Sequence, residues 1–208
     1  MRTLFKIAGG ILLALILAGA LVAAAVFALG WRLTRAWNPD PVTVATASLQ
    51  AVREQAVLTP FAARFVAVVT SEQQRFLLSA KRTLILPGLV RYELDLARLQ
   101  QRDLAWNGAT HTLTVTLPPL AVTVPAIDLR SVQSYGEGGV LMALTDAQVM
   151  LDQANREAGE HELERQAHEP LPMKLAHDAA RNAVERSFAM PLKAAGIDAT
   201  VVAKFPGE

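Results

Sequence analysis

The sequence predicts an α+β fold: an N-terminal transmembrane helix followed by a mainly antiparallel sheet packed with C-terminal helices and a final strand. Three observations carry this. Residues 7–31 hold no charge, residues from Phe61 to about Val140 alternate with a period of two, and the C-terminal third repeats its apolar residues at helical spacing. A run of strands followed by a run of helices points to a sheet with its helices gathered on one side.

The stretch from Ile7 to Trp31 would span roughly 37 Å as a helix at about 1.5 Å per residue, more than the ~30 Å hydrocarbon core of a bilayer. The alternative is a cleavable signal peptide, with small residues such as Ala23 and Ala25 at its cleavage site. The apolar region of such a peptide usually runs only about 7–15 residues, so a retained span is expected. Arg2 and Lys6 precede the span, and Arg32 and Arg35 follow it. Together with the amino terminus, this slight bias leaves the N-terminus in the cytoplasm and the following domain on the extracytoplasmic side of a single-pass inner-membrane protein. Trp31 and Trp37 suit the far interface. The expected organisation is a transmembrane anchor with basic flanks at 1–35, a linker at 36–47 and a soluble α+β domain at 48–208.

The formal charge of +1 conceals an asymmetry, because residues 40–208 carry 16 basic against 19 acidic side chains, a balance of −3. Such a domain lacks the basic excess that phosphate neutralisation needs, so nucleic acid is not an expected partner. The absence of cysteine removes disulfides, thiolate catalysis and cysteine zinc sites together.

Asn38-Pro39 and Asp40-Pro41 disfavour helix before each proline and should end the membrane helix. "ATASLQAVREQAVL" then places Leu49, Val52 and Ala56 at helical spacing, with Ser48 as N-cap. Next, Phe61, Ala63, Phe65, Ala67 and Val69 fall on one side of an extended run, as do Tyr92, Leu94 and Leu96 in another. "TSEQQ" at 70–74 reads as the turn between them, Pro87-Gly88 as a bulge or tight bend, and Asn107-Gly108 as a hairpin turn. In "HTLTVTLPPLAVTV" at 111–124, Leu113, Val115 and Leu117 alternate with threonines. Pro118-Pro119 forms a stiff corner leading to a strand over Leu120 to Val124. Thr145 and Gln148 form a capping box for a helix reaching about Ala167, which "EPLP" at 169–172 interrupts. A second helix starts near Met173, presents Ala176, Ala180, Val184 and Phe188, bends at Pro191 and ends near Gly196. Val201, Ala203 and Phe205 share one face of the final strand.

Several of these stretches occur in the same order in one bacterial family. "VRYELDLARL" at 90–99, "TVTLPPL" at 114–120, "VPAIDL" at 124–129, "YGEGGVL" at 135–141 and "LKAAGIDATVVAKF" at 192–205 make the chain resemble the domain of unknown function 4230 family. The likeness covers roughly residues 45 to 205. It departs at Leu94, where isoleucine is usual, and at Leu120, which stands in place of a third proline. The resemblance implies a membrane helix ahead of the domain and no particular activity.

Three sets of residues have the chemistry of a site. His161, Glu164 and His168 at i, i+3 and i+7 share a helical face that could ligate zinc, but Glu157–His161 and Glu164–His168 are also i,i+4 pairs typical of a solvated helix. His177-Asp178 lacks a serine in a nucleophile elbow, and Gly136, Gly138 and Gly139 lack the Lys-Ser/Thr of a phosphate loop and fit a turn better. Asp95 and Asp128, each before a leucine at a strand end, fit side-chain bonds to local backbone. The sequence therefore nominates no catalytic, cofactor-binding or metal-ligating residue, and no cofactor is expected. The expected function is a binding or assembly module at the membrane surface, with the membrane and a protein or lipid as partners. The alternatives are a carrier or sensor of a lipid or other apolar ligand, and a hydrolase whose site the sequence does not display.

Overall fold

A computed structural model describes residues 19–28, 30, 39–75, 78–137, 139 and 146–207. Of the span expected at 7–31, only residues 19–28 and 30 fall within this set, and they are helical; the basic flanks and both tryptophans lie outside it. Among the described residues, no helix is long and apolar enough to cross a membrane.

Helix α1 (Pro41–Glu54) begins earlier than the Ser48 cap anticipates. Its N-cap is Asp40, whose Oδ2 accepts from the Thr43 amide at 3.0 Å and the Thr43 hydroxyl at 2.8 Å, while Pro41 occupies a first-turn position that needs no amide hydrogen. Those two bonds hold the Asp40 carboxyl below its ordinary pKa. Ser48 lies inside the helix instead, buried, and donates to the Val44 carbonyl at 2.8 Å.

Strands β1 (Val57–Arg75) and β2 (Leu78–Asp95) form one long antiparallel hairpin, and 19 residues of strand extend roughly 60 Å. The proposed turn at 70–74 is therefore strand: Thr70 pairs with Thr83 and Gln74 with Ser79. Nor does Pro87-Gly88 break the hairpin, since Val66 and Phe65 pair with them in register and the register shifts only between Leu58 and Phe61. Gly88 serves close approach, because a Cβ there would meet Leu163 Cδ1 at 2.8 Å.

Along the other edge of β2 run three short antiparallel segments, β5 (Leu120–Val122), β6 (Ala126–Ile127) and β7 (Gln133–Glu137), which make an interrupted third strand. Gly136 belongs to β7 and pairs with Arg82, so it is not part of a turn.

A second sheet has the order β3-β4-β8, from β3 (Leu104–Asn107), β4 (Thr112–Thr116) and β8 (Thr200–Lys204). The Asn107 side chain accepts from the amides of Ala109 and Thr110 and so shapes the β3–β4 turn. The final strand runs parallel to β4, unlike the antiparallel pairs elsewhere. Leu113, Val115 and Leu117 are buried and the intervening threonines half-buried, as their alternation requires. At Pro118-Pro119 the chain leaves this sheet and joins β2 of the first one, so the corner connects two sheets.

Helix α2 (Ala147–Ala167) lies across β1 and β2, and helix α3 (Pro170–Ala194) packs on β8, α1 and β1. Thr145 lies outside the described residues, and Asp146 at the N-cap of α2 makes no side-chain capping bond. Pro170 at the start of α3 explains the break between the helices, and Gly196, at φ +77°, takes the left-handed conformation that follows its end. The main core joins α1, the end of β2, β4, α3 and β8 around Leu49, Leu94, Val115, Phe188 and Ala203. A second cluster sits under α2, where Leu86 fills the space above Gly159 and Leu163 the space above Gly88. Buried Tyr92 donates its hydroxyl to the Ala167 carbonyl at 2.7 Å and fastens the end of α2 to β2; burial raises the pKa of this phenol.

Candidate functional site

Near the start of α2, the helix and the interrupted third strand enclose a cleft of about 240 Å³. Leu84 and Leu86 of β2, with Ile127, form an apolar floor, and Leu129 and Val132 line the wall. Asp128 shapes that wall. Its carboxylate accepts from the Arg130 amide at 3.2 Å and the Ser131 hydroxyl at 2.8 Å, a tight turn that carries the largely exposed Leu129 to the mouth. Asp95 does the same work elsewhere, accepting from the Ala97 amide at 3.1 Å and pairing with Arg98.

The polar end of the cleft is made by Arg82, Ser134, Asp152 and Arg156. Arg82 forms an ion pair with Asp152 and donates to Ser134 Oγ at 3.3 Å, which joins β2, β7 and α2. The Arg82 side chain is only 15% exposed, so removing Asp152 would leave a poorly solvated charge. Asn155, fully buried one helical turn along, donates from Nδ2 to the Arg82 carbonyl at 2.8 Å and leaves its Oδ1 without a donor among the described residues. Arg156 follows Asp152 by four residues, a spacing at which the two could pair; Asp152 instead pairs with Arg82. Exposed Arg156 therefore makes no ion pair or hydrogen bond among the described residues and lies at the rim.

This arrangement can hold a short molecule with an apolar body and an anionic end, the body against the leucines and the anion on Arg156. Among the described residues that line it, the one hydroxyl, Ser134 Oγ, accepts from Arg82.

The residues with suggestive chemistry in the sequence lie elsewhere. His161 is 84% exposed and 3.9 Å from Glu164, whereas His168 bonds through Nδ1 to the Glu164 carbonyl at 2.8 Å, so the trio does not converge. Among the described residues, no group of three or more metal-ligating side chains comes together. The His177 and Phe205 rings pack at an interplanar angle of 60° with their centroids 4.4 Å apart, and Asp178 pairs with Arg181. Gly138 lies outside the described residues. On the solvent side of α2, Arg165 bridges Glu162 and Glu169, and its hydrogen bonds draw the Glu162 carboxyl down to about 2.

Of the segments with a family likeness, one lines the cleft and others supply buried residues of the cores. Val90, Tyr92, Leu94, Leu96 and Leu99 of "VRYELDLARL" are all buried, and "VPAIDL" supplies Ile127, Asp128 and Leu129. The family described as "Protein of unknown function (DUF4230)" matches residues 50–202. The chain belongs to this family. The match begins inside α1 and ends inside β8, so it covers both sheets, both long helices and the cleft. No curated protein and no solved structure matches the chain.

Proposed function

We propose that this member of the family is a single-pass inner-membrane protein whose domain, on the extracytoplasmic side, is a binding module for a small amphipathic anion. The cleft carries this reading: an apolar floor closed at one end by the Arg82–Asp152 pair, with Arg156, which pairs with none of the described residues, at the rim. At about 240 Å³ it falls below the roughly 300–1,000 Å³ common for drug-sized ligands, so it accommodates a short amphiphile or one end of a longer molecule. The uncharged run at 7–31 supports the anchor.

Octanoate is a suitable probe. Titrated calorimetrically into the full chain in lipid nanodiscs, it should give saturable heat beyond that of empty nanodiscs. Arg156→Glu should weaken it about 10-fold or more through loss of a charge-assisted contact. Absence of saturable heat, or unchanged affinity in that variant, would refute the site. The anchor is tested separately. Deleting residues 1–35 should move the protein from the membrane fraction to the soluble one, and in intact spheroplasts external protease should degrade a C-terminal tag on the full chain. A tag cut only after lysis would reverse the orientation.

A further inference from the structure

Among the described residues no strand pairs with the outer edge of β1, and the pattern along that edge is self-complementary. The Asp128 amide bonds to the Pro87 carbonyl at 3.0 Å and the Thr123 amide to the Arg91 carbonyl at 2.9 Å, so odd-numbered residues of β2 direct their backbone groups to the third strand. Even-numbered residues of β2 then serve β1 through its odd-numbered residues, and the even-numbered residues of β1 carry the open edge. Gln166 of α2 agrees with this parity: its Nε2 donates to the Val66 carbonyl from the open side, at a long 3.4 Å. The same even-numbered side chains, Arg64, Val66, Val68, Thr70 and Glu72, lie on the sheet face away from the helices. All are exposed, with Val66 at 47% and Val68 at 63%.

We infer that β1 pairs antiparallel with β1 of a second copy of this chain about a two-fold axis at Val68. This register sets Arg64 against Glu72 of the partner subunit, twice, and Val68 against its own counterpart. Arg64 and Glu72 make no ion pair among the described residues. Moving the axis by one residue places Arg64 opposite Thr70 or Gln74, and an axis at Arg64 sets like charges together. The Val68 axis also aligns apolar residues, because Ile85 lies beside Val68 in the hairpin and each copy contributes that pair to one stripe across the joined sheets. Pro60, which has no amide to offer, falls just beyond the paired region at 61–75. The weak Gln166 bond must open for the partner to pair, and Gln166 already holds Glu162 at 2.8 Å, a contact it can keep. The inference does not depend on the cleft.

The chain has no cysteine, so single cysteines report the register without background. Hydrogen-bonded residues facing each other across antiparallel strands have Cα atoms about 5.5 Å apart, within disulfide reach. In the full chain in its membrane, mild oxidation should cross-link Val68→Cys to a dimer. Val66→Cys and Thr70→Cys should each stay uncoupled alone and cross-link when co-expressed. Sedimentation in mild detergent should show a wild-type dimer that Arg64→Glu dissociates by at least 10-fold in Kd, and that Arg64→Glu with Glu72→Arg restores. A monomeric wild type, equal cross-linking at Val66 and Val68, or failure of the double reversal to restore the dimer would overturn the inference.

Discussion

Phe188→Ala should lower the unfolding free energy by about 3–5 kcal/mol, the range for emptying an aromatic site in a packed core. Phe188 is fully buried at the point where α3 meets α1, the end of β2, β4 and β8. The core it belongs to draws on five elements, so a cavity there could close only by loosening the packing among them. Urea unfolding of the full chain in detergent, followed by tryptophan fluorescence, checks this, because Trp106 packs against the same core. A loss below about 1 kcal/mol would mean that this core is looser than its burial indicates.

Val115→Asp should be comparably severe, on the order of 3 kcal/mol or more, since Val115 is fully buried between β3 and β8 and a carboxylate there would have no partner. Thr114→Asp, one residue away on the half-buried face, should be close to neutral. The pair of variants tests the strand's register, because a slip by one residue would exchange their effects. Equal losses in melting temperature would contradict the observed alternation.

Sequence patterns revealed those strands because one face of each is covered and the other is not. The same logic located Ala176, Ala180, Val184 and Phe188, all buried on α3. It failed where backbone pairing overrides composition. Thr70 to Gln74 look like a turn, yet β2 pairs with every one of them. Pro87 lacks a donor, but its position faces the gap between β6 and β7, where no strand asks for one. Asp40 and Pro41 together were a helix start that the spacing of Leu49 and Val52 obscured. The cleft was less legible still. Arg82, Ser134 and Asp152 are far apart in the chain and meet only because α2 returns over β2. Asp152 and Arg156 alone look like an ordinary surface pair. Ile127 and Leu129 stood in "VPAIDL" as part of a family likeness, with nothing to mark them as a binding surface.

The parallel pairing of β4 with β8 also dictates an order of events during synthesis. The β1–β2 hairpin can zip from neighbouring segments as soon as both are available, whereas β4 must wait for residues 200–204. Until then the Leu117 amide lacks the Lys204 carbonyl it bonds at 2.8 Å, and the core lacks Ala203 and Phe205. A nascent chain therefore carries a finished hairpin beside an unclosed sheet, and contacts of such long sequence separation place folding toward the slow end, milliseconds to seconds. During that interval the exposed edge of β4 is open to wrong partners, so a chaperone that shields strands would find this edge before the last strand is made and lose it afterwards.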